Sequence, residues 1–163
     1  MRELTGRPQE VEAAHVAIVA GRFNDAVTSG LVQGALGVLR VHGLGEDDLT
    51  LIWVPGSYEI PLVAAELARA GRYDAIIALG CVIQGSTRHA DLVTTEVARG
   101  LAEVSRTYRL PVLFEVIAAD SLEVALDRSG RKLNRGSEAA EAALQMISLL
   151  RQLRAEGGPA AES

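Results

Sequence analysis

Val16-Ala17-Ile18-Val19-Ala20-Gly21-Arg22-Phe23-Asn24-Asp25 opens the stretch whose reading decides the fold. Five apolar residues in a row, three of them β-branched, predict a short strand buried on both faces, ended by Gly21. The period then changes: from Ala26 onward Val27, Leu31, Ala35 and Leu39 recur every four residues, which predicts a helix. Asn24 or Asp25 is placed to cap its start and Gly43 to end it.

The same unit repeats outward from there. Leu51-Ile52-Trp53-Val54 predicts a second strand, stopped by Pro55-Gly56, and Ile60, Val63, Ala64 and Leu67 mark a second helix up to Gly71. Ala75-Ile76-Ile77-Ala78-Leu79 predicts a third strand, broken by Gly80 and Gly85, followed by a helix over 90–107. A fourth strand spans Val112 to Ile117 after Pro111, and Asp120-Ser121-Leu122-Glu123 reads as a capping box opening a short helix. A last helix runs from Ser137 to Leu153 through Ala139, Ala143, Met146 and Leu150. Strand alternating with helix implies parallel strands joined by right-handed crossovers. The expected fold class is therefore α/β: a three-layer sandwich with a four-stranded parallel sheet, helices on both faces, flavodoxin-like in order. The polar residues 1–15, with Pro8, read as an arm holding at most one short edge strand. Residues 155–163, rich in Gly, Pro, Ala and Glu, read as a frayed tail, and the rest as one domain.

Composition narrows the function. The chain has 163 residues, 48% hydrophobic and 23% charged, with a net charge of −5. An acidic balance argues against nucleic acid as the main partner. The longest apolar run, Ala75 to Ile83, is too short to cross a bilayer. Charged residues among the first fifteen argue against a signal peptide, and a single cysteine, Cys81, excludes an internal disulfide and fits a reducing cytoplasm. No zinc-like cysteine spacing is present, and no metal is expected. Aromatics are scarce, with one Trp, three Tyr and two Phe, so the core must rest on aliphatic residues.

In open parallel sheets ligands bind beyond the carboxyl ends of the strands. Those ends carry Gly21-Arg22-Phe23-Asn24, Pro55-Gly56-Ser57-Tyr58-Glu59, the loop from Gly80 to His89, and Phe114 with Ala118-Ala119-Asp120. Phe23 alone reads as a loop aromatic covering the core, but Tyr58 and Phe114 converge on the same edge. No P-loop or dinucleotide fingerprint is present. Gly85-Ser86-Thr87 offers backbone N–H groups and two hydroxyls at a helix entrance, which suits an anion. Arg128 adds a guanidinium for phosphate, or else is a solvated helix-end cation. His89, beside the same loop, can relay protons near neutral pH or serve only as a helix-start residue. Glu59 can accept hydrogen bonds from a polyol or cap the second helix. Cys81, without a base partner, reads as a small core residue, and His15 and His42 have no such surroundings.

Together, Trp53-Val54-Pro55-Gly56-Ser57-Tyr58-Glu59-Ile60-Pro61, the 80–89 loop, Gly21-Arg22-Phe23-Asn24 and Asp127-Arg128-Ser129-Gly130 resemble the 6,7-dimethyl-8-ribityllumazine synthase family of riboflavin biosynthesis, over residues 14–153. The resemblance implies condensation of 5-amino-6-(D-ribitylamino)uracil with 3,4-dihydroxy-2-butanone 4-phosphate, without a cofactor. It implies that Phe23 stacks on the pyrimidine and that Ser57, Tyr58 and Glu59 line the ribityl chain. Cys81, Val82 and Ile83 would contact the pyrimidine, Ser86, Thr87 and Arg128 would hold the phosphate, and His89 would move protons. Phe114 would come from a neighbouring subunit, with Arg128 near the same boundary. It further implies a cytoplasmic homopentamer, in some members closed into a sixty-subunit icosahedral shell, and association with riboflavin synthase. The sequence departs from the family pattern at Gln84, Ala90, Ala118, Ala119 and Arg135, and residues 130–136 are one residue short of it. Pro8 would weaken pairing by the arm. Two other readings stay open: a non-catalytic flavin- or lumazine-binding or shell-forming relative, and an unrelated flavodoxin-like binding module.

Overall fold

The computed structural model describes residues 1–85 and 88–157. Its elements run β1 (Val16–Gly21), α1 (Asp25–Val41), β2 (Leu49–Val54), α2 (Ile60–Ala70), β3 (Ala75–Ile83), α3 (His89–Tyr108), β4 (Val112–Ala119), α4 (Leu122–Asp127) and α5 (Arg135–Glu156). The four strands form one sheet in the order β2-β1-β3-β4, every pair parallel. Helices cover both faces, so the fold is the expected α/β, flavodoxin-like sandwich.

The two central strands explain the continuous apolar runs. All six residues of β1 are buried, as are the first seven of β3, whereas the edge strands β2 and β4 are only partly covered. Alternate residues of β1 serve opposite layers: Val16, Ile18 and Ala20 pack with α1 and α5, while Ala17 and Val19 pack with α2 and α3. On the first face small residues bring the helices into near-backbone contact. A Cβ on Gly136 would lie 1.9 Å from the Leu31 carbonyl oxygen, and Ala35, Ala139, Ala140 and Ala143 are buried beside that contact.

Several boundaries differ from the sequence reading, each for a local reason. β3 continues through Gly80 to Ile83, because its pairing with β4 persists to Ile83 beside Ala119. Asn24 occupies the N-cap position of α1 without capping it. It sits in the left-handed region at φ 60°, and its side-chain amide donates to the Cys81 carbonyl at 3.0 Å. The cap of α4 falls one residue later than the expected Asp120–Glu123 box: Ser121 Oγ accepts from the Val124 N–H at 3.3 Å, and Val124, now at the third helical position, has no carboxylate to reciprocate. α5 starts at Arg135 because Asn134 caps it, its Oδ1 accepting from the Ser137 N–H at 3.0 Å.

The arm forms no strand. It makes one 3₁₀ turn, Pro8–Glu10, with Pro8 in the first turn where its missing N–H costs nothing. The arm then lies along α5, where the Arg7 N–H donates to Ser148 Oγ at 3.0 Å and Gln152 Nε2 donates to the Thr5 carbonyl at 2.8 Å. Arg151 holds the Glu12 carbonyl at 2.6 Å. Of the expected frayed tail, Ala155 and Glu156 belong to α5, and residues 158–163 lie outside the described residues.

Candidate active site

The site begins where β1 and β3 lie side by side with their connections leaving to opposite faces, the position at which parallel sheets open a crevice. The Asn24–Cys81 hydrogen bond closes the floor of that crevice, tying the end of β1 to β3. The 21–24 loop is fixed against the end of β2 by two backbone bonds, Arg22 N–H to the Val54 carbonyl at 2.9 Å and Phe23 N–H to the Pro55 carbonyl at 3.2 Å. The Arg22 guanidinium lies over the Trp53 ring, 5.3 Å from its centroid.

Two glycines let the 55–59 segment fold down onto the strand ends. A Cβ on Gly80 would stand 2.4 Å from Ser57 Oγ, so a glycine inside β3 admits the buried Ser57 side chain. A Cβ on Gly56 would stand 2.6 Å from Phe23 Cδ2 and 3.2 Å from Glu59 Oε2. Its absence lets the phenyl ring and the carboxylate approach the same backbone. Glu59 Oε2 accepts from the Gly56 N–H at 2.9 Å, which closes the 3₁₀ turn Ser57–Glu59. The capping reading of Glu59 therefore holds in form, but the donor is Gly56 and the turn precedes α2. One carboxylate oxygen is used in this way, and the residue as a whole is exposed.

These elements enclose a cleft of about 740 Å³. Phe23, Ser57, Tyr58, Glu59, Cys81, Val82, Ile83 and His89 all line it. The sequence-predicted residues of three strand ends are thus brought together. Phe23 and Tyr58 are 70% and 65% exposed, a large apolar presentation for a chain with six aromatics. Cys81 is 2% exposed, and burial pushes its thiol above the ordinary range, which keeps it protonated and poorly nucleophilic. Ser86 and Thr87, expected to hold an anion, lie outside the described residues.

Asn24, given no ligand role in the sequence reading, and Leu92, Val93 and Glu96, not anticipated there, also line the cleft. The last three had a readable signal. They stand three, four and seven residues after His89 on α3, so they share its face of the helix.

Phe114 and Arg128 do not join this cleft. They line a second hollow of about 480 Å³ on the β4 edge, with Glu115, Leu133 and Arg135. Arg128 follows α4 and reaches the Ala118 carbonyl with Nη1 at 3.5 Å. Arg135 grips Glu115 with two bonds, Nε to Oε2 at 3.2 Å and Nη2 to Oε1 at 3.0 Å, and its Nη1 donates to Glu138 at 2.6 Å. Burial raises the Glu115 carboxyl above its usual range, and the Arg135 charge opposes that shift without cancelling it. Glu115 was missed, although a lone charge within Val112-Leu113-Phe114-Glu115-Val116-Ile117 was the signal for it. The predicted residues thus fall in two separate hollows of one chain: aromatic and carboxylate side chains at the crevice, and arginines at the sheet edge.

A third hollow, about 710 Å³ between the C-terminal ends of α3 and α5, holds none of the predicted residues. Among the described residues no cluster of His, Cys, Asp and Glu is arranged to hold a metal ion, and no helix is long and apolar enough to cross a membrane. Compared with known proteins, the chain matches the family model described as 6,7-dimethyl-8-ribityllumazine synthase over residues 13–151.

Proposed function

The chain belongs to the 6,7-dimethyl-8-ribityllumazine synthase family of riboflavin biosynthesis, and from that premise we propose that it is an active transferase. It joins 5-amino-6-(D-ribitylamino)uracil to 3,4-dihydroxy-2-butanone 4-phosphate. The amino group of the first adds to the ketone of the second and expels water to give a Schiff base. Phosphate leaves by elimination, and ring closure expels a second water to give the lumazine.

The observation that carries this reading is the convergence of Phe23, Glu59 and His89 on one cleft at the carboxyl ends of the strands. In this reading the exposed Phe23 ring is the platform for the flat pyrimidine. Ser57, Tyr58 and Glu59 line the ribityl chain, with Glu59 accepting from hydroxyls through the oxygen that Gly56 leaves unused. Cys81, Val82 and Ile83 form the wall against the heterocycle. His89, at the first turn of α3, moves protons during Schiff-base formation and elimination. Ser86, Thr87 and Arg128 hold the phosphate. The protein supplies little covalent chemistry, so holding the two reactants together is the main contribution, worth up to about 7–11 kcal/mol in well-oriented cases.

The separation of the two half-sites supports an oligomer. Arg128 and Phe114 face away from the crevice of their own chain, so they serve the crevice of a neighbour. A contact between two different patches is heterologous, and when such contacts close they generate a ring. We assign that ring as a homopentamer.

The test is an absorbance assay of the purified protein with both substrates, paired with light scattering. Product formation by an oligomer is the expected result. Binding of both substrates without turnover would return the chain to the non-catalytic reading, and an active monomer would overturn the shared site.

A further inference from the structure

We propose that Asn134 is a positioning residue for Arg128, holding the anion half of the site in shape without touching the ligand. The proposal rests on the assignment of Arg128 to the phosphate. Arg128 has little to fix it locally. It follows the six-residue helix α4, too short to be rigid alone, and among the described residues its guanidinium makes one long bond, to the Ala118 carbonyl at 3.5 Å. Its backbone is held from the far side of the 128–135 loop. The Arg135 N–H donates to the Arg128 carbonyl at 2.8 Å, and Ser129 and Asn134 form an isolated antiparallel bridge.

The Asn134 side chain locks that loop to the body of the protein. Its Nδ2 donates to the Ser129 carbonyl at 3.1 Å and to the Gly30 carbonyl in α1 at 2.9 Å, while Oδ1 accepts from the Ser137 N–H at 3.0 Å. Both amide hydrogens and one lone pair are used. The opposite orientation of the amide would set its oxygen against two carbonyls. α1 is shaped to receive the staple. A Cβ on Gly34 would fall 2.1 Å from Asn134 Oδ1, and a Cβ on Gly30 would fall 2.7 Å from the Ser129 carbonyl oxygen. Two bare positions one turn apart on α1 thus face the loop, Gly34 at the Asn134 side chain and Gly30 at Ser129. Asparagine alone supplies both the cap acceptor and the two donors. Serine or aspartate at this position would cap α5 equally well but leave the carbonyls of Gly30 and Ser129 without their donor.

Asn134→Asp keeps the cap and removes the donors, and Asn134→Ser does the same without adding a charge, so a loss shared by both variants isolates this role. The measurements are the KM for each substrate, kcat, inhibition by inorganic phosphate, and the rise in melting temperature that inorganic phosphate produces in the intact oligomer. The last needs no turnover. Loss of two modest hydrogen bonds should weaken phosphate binding about tenfold. The KM for the phosphate substrate should rise in parallel, while the KM for the pyrimidine stays put and kcat moves less. In an Arg128→Ala background the same substitution should add nothing, because its effect runs through Arg128. Wild-type phosphate binding in Asn134→Asp overturns the proposal, as does a loss that adds in full to that of Arg128→Ala. If Arg128→Ala itself binds phosphate normally, the phosphate assignment falls and this inference with it. Should Asn134→Asp fail to fold, Asn134→Ser, which also caps, is read in the same way.

Discussion

Adding one carbon at Gly56 should damage the site while sparing the fold. Gly56 has φ −146° and ψ 178°, extended backbone that any residue adopts, so alanine brings no conformational strain. Restricting the unfolded chain would even favour the folded state by about 0.4–1 kcal/mol. The new Cβ, however, would sit 2.6 Å from Phe23 Cδ2 and 3.0 Å from Cε2, where carbon contacts relax to about 3.5–4.0 Å. The ring must retreat by about 1 Å, and because Phe23 is 70% exposed it can do so into solvent. Net stability should therefore change by less than about 1 kcal/mol. The stacking surface would be displaced. Aromatic pairing is worth about 0.5–1.5 kcal/mol, so the KM for the pyrimidine substrate should rise about twofold to tenfold. Steady-state kinetics with each substrate varied in turn, beside urea unfolding, make the comparison. An unchanged pyrimidine KM would refute the claim that the Phe23 ring is held where substrate needs it. So would a large loss of stability, since it would mean that the ring cannot yield.

Three further outcomes follow from the same geometry. His89→Ala should slow turnover by at most the ~10²–10⁴-fold of general acid–base catalysis, and wild-type kcat in that variant would remove the proton-transfer role. Gly136→Ala should destabilise by about 1–3 kcal/mol although alanine is the better helix former by about 1 kcal/mol, because its Cβ would meet the Leu31 backbone rather than a movable side chain; a higher melting temperature would contradict the close α1–α5 approach. Burial raises the Glu115 carboxyl, so its contribution to stability is present at acidic pH and is lost as pH climbs through the raised value. Glu115→Gln should accordingly gain on the wild type in melting experiments from acidic to neutral pH, and a wild type that gains instead would show that Arg135 outweighs burial.

The buried strands were legible because burial on both faces leaves an unmixed apolar run, as in β1. The edges of elements were less so, and glycine was the main reason. Gly80 reads as a breaker, yet it continues β3, because its bare face receives Ser57 from a segment more than twenty residues earlier in the chain. Asn24 stood correctly at the start of α1, but its hydrogen bond goes to the Cys81 carbonyl across the sheet, and no local rule reports a tertiary partner. The arm reads as holding at most one short edge strand because its extended character is visible and its partner, Ser148 on α5, is not. At the crevice, three loops could be pooled because parallel strands send their carboxyl ends to one edge. The division of the predicted residues between two hollows was legible only through the family resemblance. A sequence pattern tells inside from outside, not which hollow a side chain lines.

If the two hollows combine between chains as proposed, damage at either is repairable by a neighbour. A chain damaged at His89 keeps a sound arginine half, and a chain damaged at Arg128 keeps a sound crevice. Co-assembled at random in equal amounts, about a quarter of the shared sites would draw one sound half from each kind of chain. Two inactive proteins would then become active on mixing and reassembly, without any change in either sequence. Dilution should act in the reverse sense, with activity lost at the concentration where chains part while each chain keeps its sheet and both of its cores.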